Sequence, residues 1–147
     1  MATVVTKTIG PSGRDYTTFT AAEADIGNIA TTEFGSTDLV ANDGAIVFEA
    51  DAGTYDGLVV YYSLTTDSTR NVTFKPAAGS EHGGVRGAGV VVQDNVAVTS
   101  YNFLAGTGST ATAHNLVLEG LEVHVRSGVA SWCTHVRYSR GVIFRNL

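Results

Sequence analysis

The sequence is poor in the residues that stabilise unusual or very small scaffolds. Cys133 is the only cysteine, so no intrachain disulfide can form and four-cysteine metal sites are excluded. The longest uninterrupted apolar runs, such as Val90-Val91-Val92 and Leu58 to Tyr62, are only a few residues long. They supply neither a membrane span nor a secretory h-region. Charged residues make up 16% of the chain, no lysine follows Lys75, and no basic run occurs. With an isoelectric point near 5.2, the electrostatic footprint of a nucleic-acid binder is missing. What is present, 147 residues of which 44% are hydrophobic, suits one domain with a core of its own.

The charge that exists is unevenly placed. Residues 1–81 hold eleven of the fourteen acids against Lys7, Arg14, Arg70 and Lys75, a formal −7. Residues 82–147 hold three acids against Arg86, Arg126, Arg137, Arg140 and Arg145, a formal +2. An acidic part therefore adjoins a mildly basic one, a distribution that permits complementary packing between copies.

Seventeen glycines, two prolines and abundant threonine and valine favour short strands separated by turns. One segment departs from this. Between Thr17 and Ile26, the apolar residues Phe19, Ala22 and Ile26 fall at helical spacing. Thr20 and Glu23 form a capping box and Gly27 supplies a stop. The pattern predicts one short amphipathic helix, whose small apolar side suits it to cover the end of a larger structure.

From residue 45 a pattern recurs in which a small or turn-forming residue is followed by apolar, any, apolar, and then usually a polar or charged residue. It occurs as Ala45-Ile-Val-Phe-Glu49, Asn71-Val-Thr-Phe-Lys75, Asn95-Val-Ala-Val-Thr99, Asn115-Leu-Val-Leu-Glu119 and Gly141-Val-Ile-Phe-Arg145, starting 26, 24, 20 and 26 residues apart. A period in the low twenties with a strand in each repeat is the signature of stacked turns. Strand alternation then predicts one ladder of Ile46, Val72, Val96, Leu116 and Val142, and another of Phe48, Phe74, Val98, Leu118 and Phe144. Asparagine tolerates left-handed backbone, which suits the three asparagines to corners just before inward-facing strands. Leu58 to Tyr62 and Leu121 to Val125 would supply further sides. A β-sandwich whose valine-rich strands imitate a repeat is the alternative architecture.

With these residues in view, the sequence resembles the right-handed parallel β-helix proteins of the pectate-lyase-like superfamily, and among them the virion proteins of tailed bacteriophages. The segment Gly13 to Ile26 is similar to the lead-in of phage β-helices, where a Tyr-Thr stretch runs into a helix that caps the open end. The rungs Asn115 to Val123 and Gly141 to Leu147 carry the rest of the likeness. The resemblance implies an all-β fold, a right-handed parallel β-helix (solenoid) with a short N-terminal capping helix. Residues 1–40 would form the lead-in and cap, and residues 41–147 the rungs. Because the last repeat stops at Leu147, Val142, Phe144 and Leu147 are expected to be covered by further chain or by another molecule. Outward-facing Val117 and Ile143 call for a partner chain or a loop such as 100–114.

Chemistry is sparsely signalled. Glu49, Asp51, Asp94, Glu119 and Glu122 are the acids nearest the strands, and a glycosidase needs two carboxylates at a set separation. Solvated surface acids are the plainer reading. His114, His124 and His135 with Cys133 lack the paired spacing of a metal site. Ser131 with His135 has no Gly-x-Ser-x-Gly turn to present a nucleophile. The stretch from Gly106 to Ala111 matches a relaxed dinucleotide fingerprint but precedes a strand where a helix is required. The run Gly83 to Gly89 lacks the lysine of a phosphate loop. The Asn71-Val-Thr73 sequon lies inside a strand. Tyr61, Tyr62, Tyr101, Trp132 and Tyr138 suit either sugar stacking or packing. No catalytic, cofactor-binding or metal residue is assigned. The resulting expectation is a non-enzymatic structural component of a bacteriophage virion: a tail fibre or spike attachment domain, or a capsid decoration protein. It would assemble as a homotrimer with other virion proteins, without nucleic acid or membrane insertion. A polysaccharide-cleaving or glycan-binding domain of the same fold is the alternative.

Overall fold

A computed structural model describes residues 2–56, 58–60, 62–93, 101–105, 114–124, 132–136 and 140–147. The elements run β1 (Thr3–Ile9), α1 (Phe19–Ala24), α2 (Ile26–Phe34), β2 (Gly44–Ala50), β3 (Gly53–Asp56), β4 (Leu58–Val60), β5 (Val72–Pro76), β6 (Val90–Gln93), β7 (Tyr101–Ala105), β8 (Leu116–Glu119), β9 (Glu122–His124), β10 (Trp132–Val136) and β11 (Ile143–Arg145). All strand pairings are parallel. They form a five-stranded sheet in the order β1-β2-β5-β8-β11 and two three-stranded sheets, β3-β6-β9 and β4-β7-β10. From β2 onward the chain visits the three sheets in rotation.

The expectation of an all-β, right-handed parallel β-helix with one short capping helix is corrected. Two helices lie between the first two strands and place Phe19, Ala22, Ile26, Ile29 and Ala30 in the same buried core as the strands. The architecture is a small α/β arrangement of parallel sheets and helices. Thr18, in extended backbone, starts α1 by accepting a hydrogen bond from the Ala21 N–H at 3.1 Å. The capping box expected at Thr20 and Glu23 does not start the helix, because Glu23 turns inward and is only 9% exposed. Gly27 does not stop the chain's helical course either. It sits inside α2, which ends instead at Gly35, at φ 81°, the left-handed conformation that glycine adopts without a Cβ clash.

Within the five-stranded sheet, side chains meet by register. Phe48 is the partner of Phe74, and Phe74 of Leu118. Ile46, Val72 and Leu116 form the adjacent row. All six side chains are buried. Phe48 and Phe74 stack with centroids 4.6 Å apart and planes 11° from parallel. Phe19 of α1 closes on Phe74 at 5.7 Å and meets Tyr55 edge-on at 5.0 Å. The helix is thus fastened to two of the sheets through one aromatic cluster. The repeat ladder is joined across β5 and β8, where Val72 pairs with Leu116 and Phe74 with Leu118; the Asn95 instance, with Val96 and Val98, lies outside the described residues.

Asn115 does take the left-handed corner expected before β8, at φ 51°. Its Nδ2 donates to the Thr66 carbonyl at 2.9 Å. Asn71 does not; it stays outside the positive-φ set and instead donates to the Ser68 carbonyl and accepts from the Thr73 hydroxyl at 3.0 Å. Nearby, the Tyr62 hydroxyl donates to the His114 carbonyl at 2.6 Å, and the Thr66 hydroxyl donates to the same oxygen. Burial pushes the Tyr62 phenol well above its usual range. Tyr62→Phe should therefore lower stability by only about 0.5–1.5 kcal/mol in urea unfolding, since Thr66 still satisfies the carbonyl. A larger loss would mean that the phenol carries more than this bond.

Candidate interaction surface: a charged groove and an apolar sheet edge

The outward face of the five-stranded sheet carries a row of alternating charge. Glu49 on β2 is the register partner of Lys75 on β5, and the two form an ion pair of 3.1 Å. Glu119 on β8 is the partner of Arg145 on β11. Lys75 and Glu119 each directly follow the paired residues Phe74 and Leu118, so the row reads acid, base, acid, base across four strands. The strands place the charges because side chains alternate faces, and apolar Phe48, Phe74 and Leu118 immediately precede them.

Beside this row the segment 77–89 rises from the end of β5 and encloses a cavity of about 480 Å³, lined by Glu49, Lys75, Glu81, His82, Glu119 and Asn146 among others. Two fasteners hold the segment. The Gly84 N–H donates to His82 Nδ1 at 3.0 Å, which leaves the ring proton on Nε2, facing the Asn146 carbonyl at 3.2 Å. Further along, the Gly87 N–H donates to Glu122 Oε2 at 2.7 Å, while His124 Nε2 lies 2.5 Å from Glu122 Oε1. Partial burial raises the Glu122 carboxyl, but the bonds from His124 and Gly87 outweigh it, and its pKa lies below the usual glutamate value. A carboxylate whose folded pKa is depressed stabilises the fold above its ordinary pKa, and the contribution is lost as pH falls through the depressed value. Acidification through that window should speed hydrogen exchange at the Gly87 amide relative to its intrinsic, pH-dependent rate. At neutral pH, Glu122→Gln should speed it about fivefold, the difference between a charge-assisted and a neutral bond. An unchanged Gly87 rate in both experiments would show that the fastener is not made in solution.

The remaining acids are occupied elsewhere. Asp51 accepts two hydrogen bonds from Arg14, both at 2.7 Å, and Asp94 lies outside the described residues. Glu49 and Glu119 share one row but are two strand spacings apart, about 10 Å between backbones, with Lys75 between them. A general acid needs a raised pKa. Asp15, Asp25, Asp43, Asp67 and Glu122 are each displaced downward instead. The Arg140 N–H donates to His114 Nδ1, His124 faces Glu122, and Cys133 and His135 lie on β10, where the backbone alone is described. Among the described residues no cluster of three metal-ligating side chains exists, and no helix is long and apolar enough to cross a membrane. Ser131, Tyr61, Tyr138 and residues 106–111 lie outside the described residues, while Tyr101 and Trp132 are strand residues described by backbone alone. The run Gly83 to Gly89 forms turns, with Gly83, Gly84, Gly87 and Gly89 at positive φ.

The two ends of the large sheet differ. At β1, Tyr16 bridges to Ile9, and Asp15 accepts from the Thr8 N–H at 2.7 Å and from its hydroxyl at 2.8 Å, so part of the outer edge is already bonded. Lys7 occupies the row of Phe48 and pairs with Glu33 of α2 at 3.1 Å. At β11, in contrast, Phe144 is 38% exposed and Leu147 46% exposed. Val117, expected to be covered by a partner chain or by a loop such as 100–114, is only 5% exposed within the chain itself, whereas its register partner Ile143 is half-buried. No family model, no curated protein and no solved structure matches the chain.

The charged row and Lys7 escaped the sequence reading. The fifth position of each repeat carried the signal, since it reads Glu49, Lys75, Glu119 and Arg145 once the Asn95 instance is removed.

Proposed function

We propose that the protein is a non-catalytic structural component of a tailed-bacteriophage virion, a tail fibre or spike attachment domain or a capsid decoration protein, acting through protein–protein contacts. The observation that carries the reading is the five-stranded, in-register parallel sheet with Phe144 and Leu147 partly exposed along its last described strand and just after it. Exposed apolar side chains beside an ordered sheet suit protein contact. The engagement of Glu49, Asp51 and Glu122 with Lys75, Arg14 and His124 supports contact over catalysis. The virion assignment rests on the similarity of Gly13 to Ile26 and of the repeated strands to phage virion proteins, and a homotrimer remains the expected assembly.

The test is location. Antibodies against the chain should label purified particles of the phage that encodes it, and light scattering should give a mass above that of one chain. Detection in infected cells with none in purified particles would overturn the virion reading, and a monodisperse monomer would overturn the homotrimer.

A second reading, glycan cleavage or binding, is favoured by the groove that holds Glu49 and Glu119. It predicts shortened capsular or lipopolysaccharide glycan on incubation, or saturable glycan binding without product. The structural reading predicts neither.

A further inference from the structure

We infer that the segment 77–89 is a pH-sensitive strap over the groove. When His82 takes up a second ring proton, the tip at His82 to Gly84 lets go while the far end at Gly87 stays held. The strap works in this way whether or not the chain is a virion component.

His82 can fasten the tip in only one protonation state. Its Nδ1 accepts from the Gly84 N–H at 3.0 Å, and its Nε2 lies 3.2 Å from the Asn146 carbonyl oxygen. One nitrogen accepting and the other donating is the neutral imidazole with its proton on Nε2. A proton taken from water onto Nδ1 makes that nitrogen a donor, which then faces another donor across 3.0 Å. The Nε2 contact survives this change and the Gly84 bond does not. Gly83 and Gly84 sit at φ 56° and 76°, and glycine leaves such a backbone readily once its hydrogen bond is gone.

The far end answers differently. The Gly87 N–H donates to Glu122 Oε2 at 2.7 Å, and Glu122 Oε1 faces His124 Nε2. Protonating His124 adds charge to a contact with a carboxylate and so tightens it. Gly89 is held as well, its carbonyl accepting from the Gly53 N–H at 2.9 Å. Histidine changes charge between about pH 5 and 8, above the range in which carboxylates do, so mild acid frees the tip before it frees Gly87.

Among the described residues, the charged groups around His82 are Glu49 on β2, Lys75 on β5, Glu81 on the strap and Glu119 on β8, which line the cavity with it. Glu122 with His124 on β9 stands close enough for His82 to act on its charge. Arg86 on the strap and Arg145 beside Asn146 are the nearest further cations along the chain. The carboxylates accommodate the added charge, Lys75 being already paired with Glu49. Release of the tip takes Glu81, His82, Gly83 and Gly84 out of one wall of the cavity. The groove is thus walled at neutral pH and open in mild acid.

The test is NMR solvent exchange on the whole chain at about pH 7.5 and about pH 5, with each amide taken relative to its intrinsic rate. Protection at Gly84 should fall about fivefold in acid, the worth of one hydrogen bond, with Gly87 and Phe74 unchanged. His82→Asn places Oδ1 where Nδ1 stands and cannot take up the proton, so its Gly84 should stay protected at both values. His82→Phe, without an acceptor, should leave Gly84 unprotected at both. Gly84 protection that ignores pH, or that falls equally in His82→Asn, would overturn the inference. So would a fall shared by Gly87, which would mean that the strap opens as one piece, or by Phe74, which would mean that the fold itself loosens.

Discussion

Replacing Phe74 by alanine should destabilise the protein by about 3–5 kcal/mol, the range for removing a buried phenylalanine. Phe74 is fully buried, and it is the ring on which two different elements converge. Phe48 stacks on it from β2 and Phe19 from α1. Its loss opens a cavity between sheet and helix that neither neighbour can fill without abandoning its own contacts, Phe48 with Tyr16 and Phe19 with Tyr55. Against a total stability of about 5–15 kcal/mol, the variant should unfold at much lower urea concentration. Phe144→Ala, at the partly exposed end of the same row, should cost well under half as much. Equal effects at the two positions would contradict the packing described.

The second large effect is expected at Gly89. It holds φ 74°, and a Cβ there would lie 2.5 Å from the His82 backbone nitrogen and 2.7 Å from the Ser80 carbonyl oxygen. Gly89→Ala combines left-handed strain of about 1–3 kcal/mol with an overlap of similar cost. Because the obstacles are backbone atoms, the segment 77–89 must move, and its fasteners through His82 and Glu122 should open with it. Gly79→Ala isolates the first contribution, since Gly79 has φ 83° but nothing within 4 Å of the added atom. The pair should therefore differ in unfolding midpoint, with only Gly89→Ala also accelerating exchange at Gly84 and Gly87. Indistinguishable variants would show that the close approach at Gly89 is not real.

Parts of this were readable in advance. Strand alternation alone pairs Phe48 with Phe74 and Ile46 with Val72, because residues two apart in a strand face the same side. Other parts were hidden by competing signals. Gly27 looks like a helix stop, yet its cost inside a helix is about 1 kcal/mol, which burial of Ile26, Ile29 and Ala30 outweighs. The pattern of apolar, any, apolar is common to any strand and cannot say which sheet a strand joins; the Asn95 instance of it lies outside the described residues. The interaction surface was less visible still. The alternation of Glu49, Lys75, Glu119 and Arg145 emerges only when the strand order is known, and the groove depends on the segment 77–89, whose glycines announce turns without saying where the turns lead.

The ion pair of Lys7 with Glu33 has a consequence for the β1 side of the large sheet. Lys7 stands in the row that Phe48 and Phe74 fill with aromatic rings, and Glu33 of α2 holds it there. A strand laid against β1 would meet a charged pair where the rest of the row is apolar, and burying that pair would cost it its hydration.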